Sequence, residues 1–350
     1  MSRLWRGVTL FAALLFGSSS ASAFSIGSSV TQYCHERITY KAFGIASPLA
    51  ERIGSGLDAA RDEAFVLFGD YLADRLGIEL KDDFERLVVT SLFVGVRYPD
   101  QGAFSTFDLS AMRAIHLDQG HQAGHFLRDT HHDGPTADED AVRAGRAFIR
   151  ERVEQVVRDL RLSEGRVQVT EVKFFLEHYG QVELLVWKPL FDLGEAVHAL
   201  EDSFAHTVRS DDGREIIAVA NFVEPFLGDY QEARDGPPHS NVLDVCDDPR
   251  VVPHADLATQ ATAQLFAAVR ESVLLDEMTP VDRVLDQWLG YRPGCDLAND
   301  YCSSEWAALG ASDPTTPPLG CTALPLGGGW WLLLAVWMTR RRRCTGARPR

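Results

Sequence analysis

The sequence predicts an all-α domain with long loops. Three observations carry that reading. Apolar residues recur at helical spacing in several stretches, alternating strands are scarce, and the 350 residues contain no internal repeat of fixed period. About 290 residues lie between two unusual ends, enough for one large domain with a full core.

The first element is the N-terminal end, residues 1–23. Arg3 and Arg6 precede an apolar run from Val8 to Phe16, and Ser20-Ala21-Ser22-Ala23 closes the segment. A basic start, a short apolar run and a small-residue close form a secretory signal peptide. Cleavage after Ala23 would leave Phe24 as the first residue. The alternative, an uncleaved anchor, needs a longer apolar run to span a bilayer comfortably.

The body follows, residues 24–302. Asp82–Val96 carries Phe84, Leu87, Val88, Leu92 and Phe93 on a helical stripe, and Ala137–Leu162 carries Val142, Ile149, Val153, Val156, Val157 and Leu160. Phe174–Val208 reads as a long helical stretch that Pro189 should break or kink. Leu257–Leu275 is an Ala-rich helix, and Glu215–Val219 is the best strand candidate. Tyr98–Ala137 and Ser210–Ala255 read as long loops, which in a compact domain are often functional.

The last elements are a linker and a tail. Ser303–Gly320 is rich in Ser, Pro, Thr and Gly. Residues 321–350 hold Cys321, an apolar span from Ala323 to Met338, and Arg340–Arg343. An apolar span followed by arginines stops in a membrane with the arginines on the cytoplasmic side. The tail resembles the MYXO-CTERM-type sorting tails of bacterial surface proteins in its order of Leu319-Gly320-Cys321, apolar helix and Arg cluster. That resemblance implies processing machinery acting at Cys321 and transient membrane attachment; a plain C-terminal anchor is the other reading. Both place the body outside the cytoplasm, at the cell surface or outer membrane, or secreted.

Charge and cysteines fit an exported chain. The formal charge is −16, and the two ends hold eight arginines and no carboxylate, so their removal leaves −24. Such a body repels duplex nucleic acid unless bound cations intervene. Setting aside Cys321 and Cys344, four cysteines remain, which allow three pairings. Cys295–Cys302 closes a short loop and is the first choice, leaving Cys34–Cys246. A cysteine metal site lacks its C-x-x-C spacing.

The chemistry centres on Leu193–His206. His198 and Asp202 stand at i and i+4, so their side chains share one helix face, with His206 a further turn on. A carboxylate between two imidazoles can bridge cations. Upstream, Cys34-His35-Glu36 and Gly124-His125-Phe126 each add a potential ligand, as does Pro99-Asp100, where the proline reads as ending a helix and Asp100 as standing just past it. The order His, Pro-Asp, His-Phe, His-x3-Asp resembles the zinc-dependent phospholipase C and P1 nuclease superfamily, a helical fold with a zinc cluster. Its Het-C-type branch is the sharpest likeness, through Ala196-Val197-His198-Ala199-Leu200-Glu201-Asp202-Ser203-Phe204-Ala205-His206. The resemblance implies that Phe24, through its terminal amine and carbonyl, and His35 bind one zinc. It implies that Asp100, His125 and His198 bind another, that Asp202 bridges them, and that His206 begins a third site.

The chain departs from that pattern after His206. Only His239 and His254 remain, and neither has Glu four residues on, so two zinc ions are expected. His121, four residues before His125, is a rival ligand. His131 and His132 read as solvated loop residues, and His178 as a surface or core histidine. The resemblance implies hydrolysis of a phospholipid or other phosphodiester by a metal-activated water, with Asp100 able to accept the water's proton. A P1-like nuclease, a catalytically degenerate metal-binding surface protein and a metal-free adhesion protein are the alternatives. Neither a Gly-rich phosphate loop nor a Gly-x-Ser-x-Gly elbow is present, so NTPase and serine-hydrolase classes lack support.

Overall fold

A computed structural model describes residues 34–46, 63–105, 108–129, 134, 136–163, 167–176, 179–227, 230–240 and 242–311. Phe24, His131, His132, His178 and the sequence from residue 312 onward, with Cys321 and the tail, lie outside the described residues.

The described chain is mostly helical with two small sheets. In order it runs α1 (Cys34–Ala46), α2 (Glu63–Leu76), α3 (Asp83–Gln101), α4 (Leu109–Leu117), a 3-10 helix (Gln119–His125) and α5 (Ala137–Leu162). An antiparallel hairpin of β1 (Val169–Leu176) and β2 (Gly180–Trp187) leads into α6 (Lys188–Ala205). Then come β3 (Thr207–Arg209), β4 (Glu215–Val219), the short α7 (Glu224–Leu227) and α8 (Glu232–Asp235), and α9 (Val252–Leu275). The chain closes with α10 (Thr279–Trp288), β5 (Gly290–Tyr291), a second 3-10 helix (Leu297–Ser303) and α11 (Glu305–Ala311). β4 pairs antiparallel with β3 and parallel with β5.

α6 is the central element. Every residue from Pro189 to Ala205 is buried, and α3, α5 and α9 pack around it. A helix buried on all sides needs no polar face, so the polar groups that α6 does carry must find partners inside. α3 crosses α6 at two glycines. A Cβ on Gly95 would stand 2.1 Å from the Phe191 carbonyl oxygen, and one on Gly194 would stand 2.3 Å from that of Leu92. Only glycine admits backbones this close, and the close crossing carries the last turn of α3 to the face of α6 that holds His198.

Four expectations change. Phe174–Val208 is not one helical stretch: its first part is the hairpin, where Phe174, Leu176, Leu184 and Val186 are buried at alternating positions. Pro189 does not kink a helix but sits in the first turn of α6, where a missing N–H costs nothing. Pro99 does not end α3, which runs on to Gln101 and closes when the Gly102 N–H donates to the Tyr98 carbonyl at 2.8 Å. The proline falls in the final turn, so Asp100 is a helix residue. The loop read over Tyr98–Ala137 holds α4 and a 3-10 helix, begun by the Asp108 and Asp118 side chains accepting backbone N–H groups.

Glu215–Val219 is a strand, and Ala137–Leu162 a helix, as the pattern indicates. Residues 305–311, within the span read as linker, form α11, whose Trp306 is buried and stacked on His254 at 3.5 Å. Both disulfides pair as expected, Cys34 with Cys246 and Cys295 with Cys302, which suits an oxidising compartment. No described helix is long and apolar enough to cross a membrane.

Candidate metal centre

Four elements bring the candidate ligands together. α1 supplies His35, one residue after the Cys34 bridge to Cys246. α3 supplies Asp100, and α6 supplies His198 and Asp202 one turn apart. The 3-10 helix ends on His125, where the chain swings left-handed at Phe126 (φ 50°) and the Phe126 ring lies against Gly145 of α5. All five candidate ligand residues are buried.

The geometry is dense. His198 Nε2 stands 2.9 Å from Asp202 Oδ2, 3.3 Å from His125 Nδ1 and 3.7 Å from Asp100 Oδ1. His125 Nδ1 stands 3.3 Å from Asp202 Oδ2 and 3.6 Å from Asp100 Oδ1. His35 Nε2 is 3.1 Å from Asp202 Oδ1. Neither oxygen of Asp100 makes a hydrogen bond among the described residues.

Outer partners fix the ring orientations. His198 Nδ1 donates to the Val96 carbonyl at 2.9 Å, leaving Nε2 to face the two carboxylates. His35 Nδ1 donates to Glu201 Oε2 at 2.7 Å. Glu201 is itself held by the Thr39 hydroxyl at 2.8 Å and the Thr262 hydroxyl at 3.4 Å. His206 Nδ1 donates to the His125 carbonyl. A ring nitrogen bonded outward, with the other aimed inward, is how proteins prepare imidazoles for a metal.

Electrostatics say the same. Imidazole lone pairs and carboxylate oxygens this close repel unless positive charge sits among them. Burial opposes the charge on His198 and His35, yet the Asp202 carboxylate, with Asp100 for the first and Glu201 for the second, raises both above the ordinary histidine value. Burial also works against the charge on Asp202, but the neighbouring imidazoles hold it well below the usual carboxylate range. Burial raises Asp100. A divalent cation would supply the same positive charge, and the mixture of imidazole and carboxylate fits such an ion.

A separate group gathers at the end of α6. His206 is the C-cap rather than a member of the helix, and its N–H donates to the Asp202 carbonyl at 2.8 Å. Its ring lies 4.8 Å from that of His239, and His239 Nε2 is 3.4 Å from Asp244 Oδ1. The ligand atoms of His206, His239 and Asp244 all lie within 4.8 Å of one another. Burial lowers His206 to about 3 and raises Asp244. The absence of Glu four residues after His239 therefore does not leave His206 alone: Asp244, five residues on, completes a possible third group.

The structure thus brings His35, Asp100, His125, His198 and Asp202 to one place and His206 to its edge. His121 is exposed, with Nδ1 bonded to the Ile115 carbonyl at 3.2 Å, and does not replace His125. His254 stacks on Trp306 instead of joining either group. Sequence reasoning missed His116, Glu201, His239 and Asp244 as members or supports. A His-x4-Asp spacing was the available signal for the last two. In comparisons with known proteins, no family model, no curated protein and no solved structure matches this chain.

Proposed function

We propose that the cluster holds zinc and that the chain is an exported phosphoesterase of the phospholipase C type, acting on phospholipids or other phosphodiesters. One observation carries the reading: five buried histidine and aspartate side chains from four separate elements converge, each with a ligand atom no more than 3.7 Å from that of a neighbour. Their order along the chain matches the superfamily that the sequence resembles. His35, Asp100, His125, His198 and Asp202 would hold two ions, with Asp202 between them, and His206, His239 and Asp244 offer a third place. Bound zinc lowers the pKa of a water and neutralises charge on phosphoryl oxygens.

The chain's own residues do the rest. Asp100, whose oxygens lack hydrogen bonds among the described residues, can take a proton at one oxygen while the other stays with the ligand set. Glu201 keeps the His35 ring from rotating, and the Val96 carbonyl does so for His198. A P1-like nuclease uses the same chemistry. A metal-stabilised surface protein without turnover is favoured by one fact, the 0% exposure of His35, Asp100, His198 and Asp202.

Metal analysis of the full chain, paired with a phosphodiesterase screen with and without chelator, tests the reading. Zinc together with chelator-sensitive hydrolysis is the expected result; zinc without turnover selects the surface protein. Asp202→Asn removes the shared carboxylate and should abolish most metal binding and activity. Unchanged metal content and rate in that variant would end the proposal.

A further inference from the structure

His116 stands on the last turn of α4 and has no counterpart in the resemblance. It is buried, with its ring 5.0 Å from that of His125 and 5.9 Å from Phe222. The ligand atoms of Asp100, His116 and His125 lie within 4.8 Å of one another. His116 Nε2 makes no hydrogen bond among the described residues, and neither does His125 Nε2. Buried ring nitrogens are ordinarily satisfied, so two together beside a carboxylate in the same state point to a ligand.

The local fold holds His116 in this place. Gln122, buried on the 3-10 helix that ends at His125, donates its side-chain N–H groups to the carbonyls of His116 at 2.8 Å and Asp118 at 3.0 Å. That clamp fixes the end of α4 against the segment carrying His125. A solvated loop would need no such tie.

We propose that His116 is a metal ligand, forming with Asp100 and His125 a divalent-cation site that draws no residue from α6. Asp100 then belongs to two donor groups, one with His35 and His198 and one with His116 and His125. The donor set, two imidazoles and a carboxylate, suits zinc, cobalt or nickel above magnesium or calcium. The proposal rests on the cluster being a metal centre, as argued under Proposed function, and adds a ligand to it.

The test uses the full chain loaded with Zn²⁺ or Co²⁺, with chelator competition and cobalt absorption spectra. His116→Ala should weaken one zinc by about tenfold or more, at least the cost of losing an outer-shell partner. His121→Ala, a change at an exposed residue, should leave binding as in the parent. His116→Cys should retain metal and add a thiolate–cobalt charge-transfer band, which a packing role would not produce. If His116→Ala fails to fold, the His116→Cys spectrum decides alone. Wild-type stoichiometry, affinity and cobalt spectrum in His116→Ala, with no new band in His116→Cys, would overturn the proposal. Loss of metal in Asp202→Asn would then leave the parent reading standing, whereas a full chain that takes up neither ion overturns both.

Discussion

Glu201 neighbours Asp202 in the chain but does a different job. It accepts the His35 Nδ1 proton at 2.7 Å and is steadied by two threonine hydroxyls. Glu201→Gln keeps the shape and an acceptor oxygen but removes the charge that makes His35 a better donor to an ion. It should weaken zinc binding by roughly ten- to a hundredfold, read by competition with a chromogenic chelator, with the fold unchanged by circular dichroism. At this scale the sequence disclosed part of the site. His198 and Asp202 were legible because helical spacing alone puts i and i+4 on one face. Glu201 sits on that helix too, but its role depends on α1 and α9 lying beside it. His116 depends on where α4 docks, and His239 and Asp244 on how an irregular segment folds back, and no local period encodes either.

The crossing of α3 and α6 is the element on which the site depends. Gly194→Ala would drive a methyl group into the Leu92 carbonyl, a backbone atom that cannot rotate away. The helices must part, at a cost of about 1–3 kcal/mol. Urea denaturation should show that loss, and zinc affinity should fall with it, because Asp100 and His198 stand on the two helices that cross there. The helices themselves were readable from their apolar stripes. The hairpin was not, since Leu184–Trp187 is a short apolar run that fits a strand and a helix equally. The strand won because its partner, Val169–Leu176, offers eight paired positions and Pro189 delays the helix start.

For the whole molecule, acid is the informative stress. His254 is buried against Trp306, and burial first, then the nearby Arg209 charge, lowers it to about 4. The unfolded chain binds that proton near pH 6.5. Between the two values the unfolded state therefore holds more protons, so stability rises with pH. The contribution is complete above about pH 6.5 and is lost as pH falls toward about 4, amounting to no more than about 3 kcal/mol. Urea midpoints of the metal-free chain in chelator should fall across that window, and less steeply in His254→Phe. The general architecture, helical and disulfide-bonded, followed from pattern and cysteine count. The packing of α11 onto α9 through this stack did not, because a segment beginning Ser-Ser gives no sign that Trp306 turns inward.

The bridge between Cys34 and Cys246 spans 212 residues and ends one position before His35. Tying so long a loop limits the freedom of the unfolded chain, and removing such a tie costs about 2–5 kcal/mol. Replacing both cysteines by alanine should lower the thermal midpoint and also loosen zinc, measured on the same samples by calorimetry and metal release. Oxidation thereby bears on the candidate centre: until the thiols join, no covalent tether secures the helix turn that carries His35, and an ion taken up there would be held less firmly.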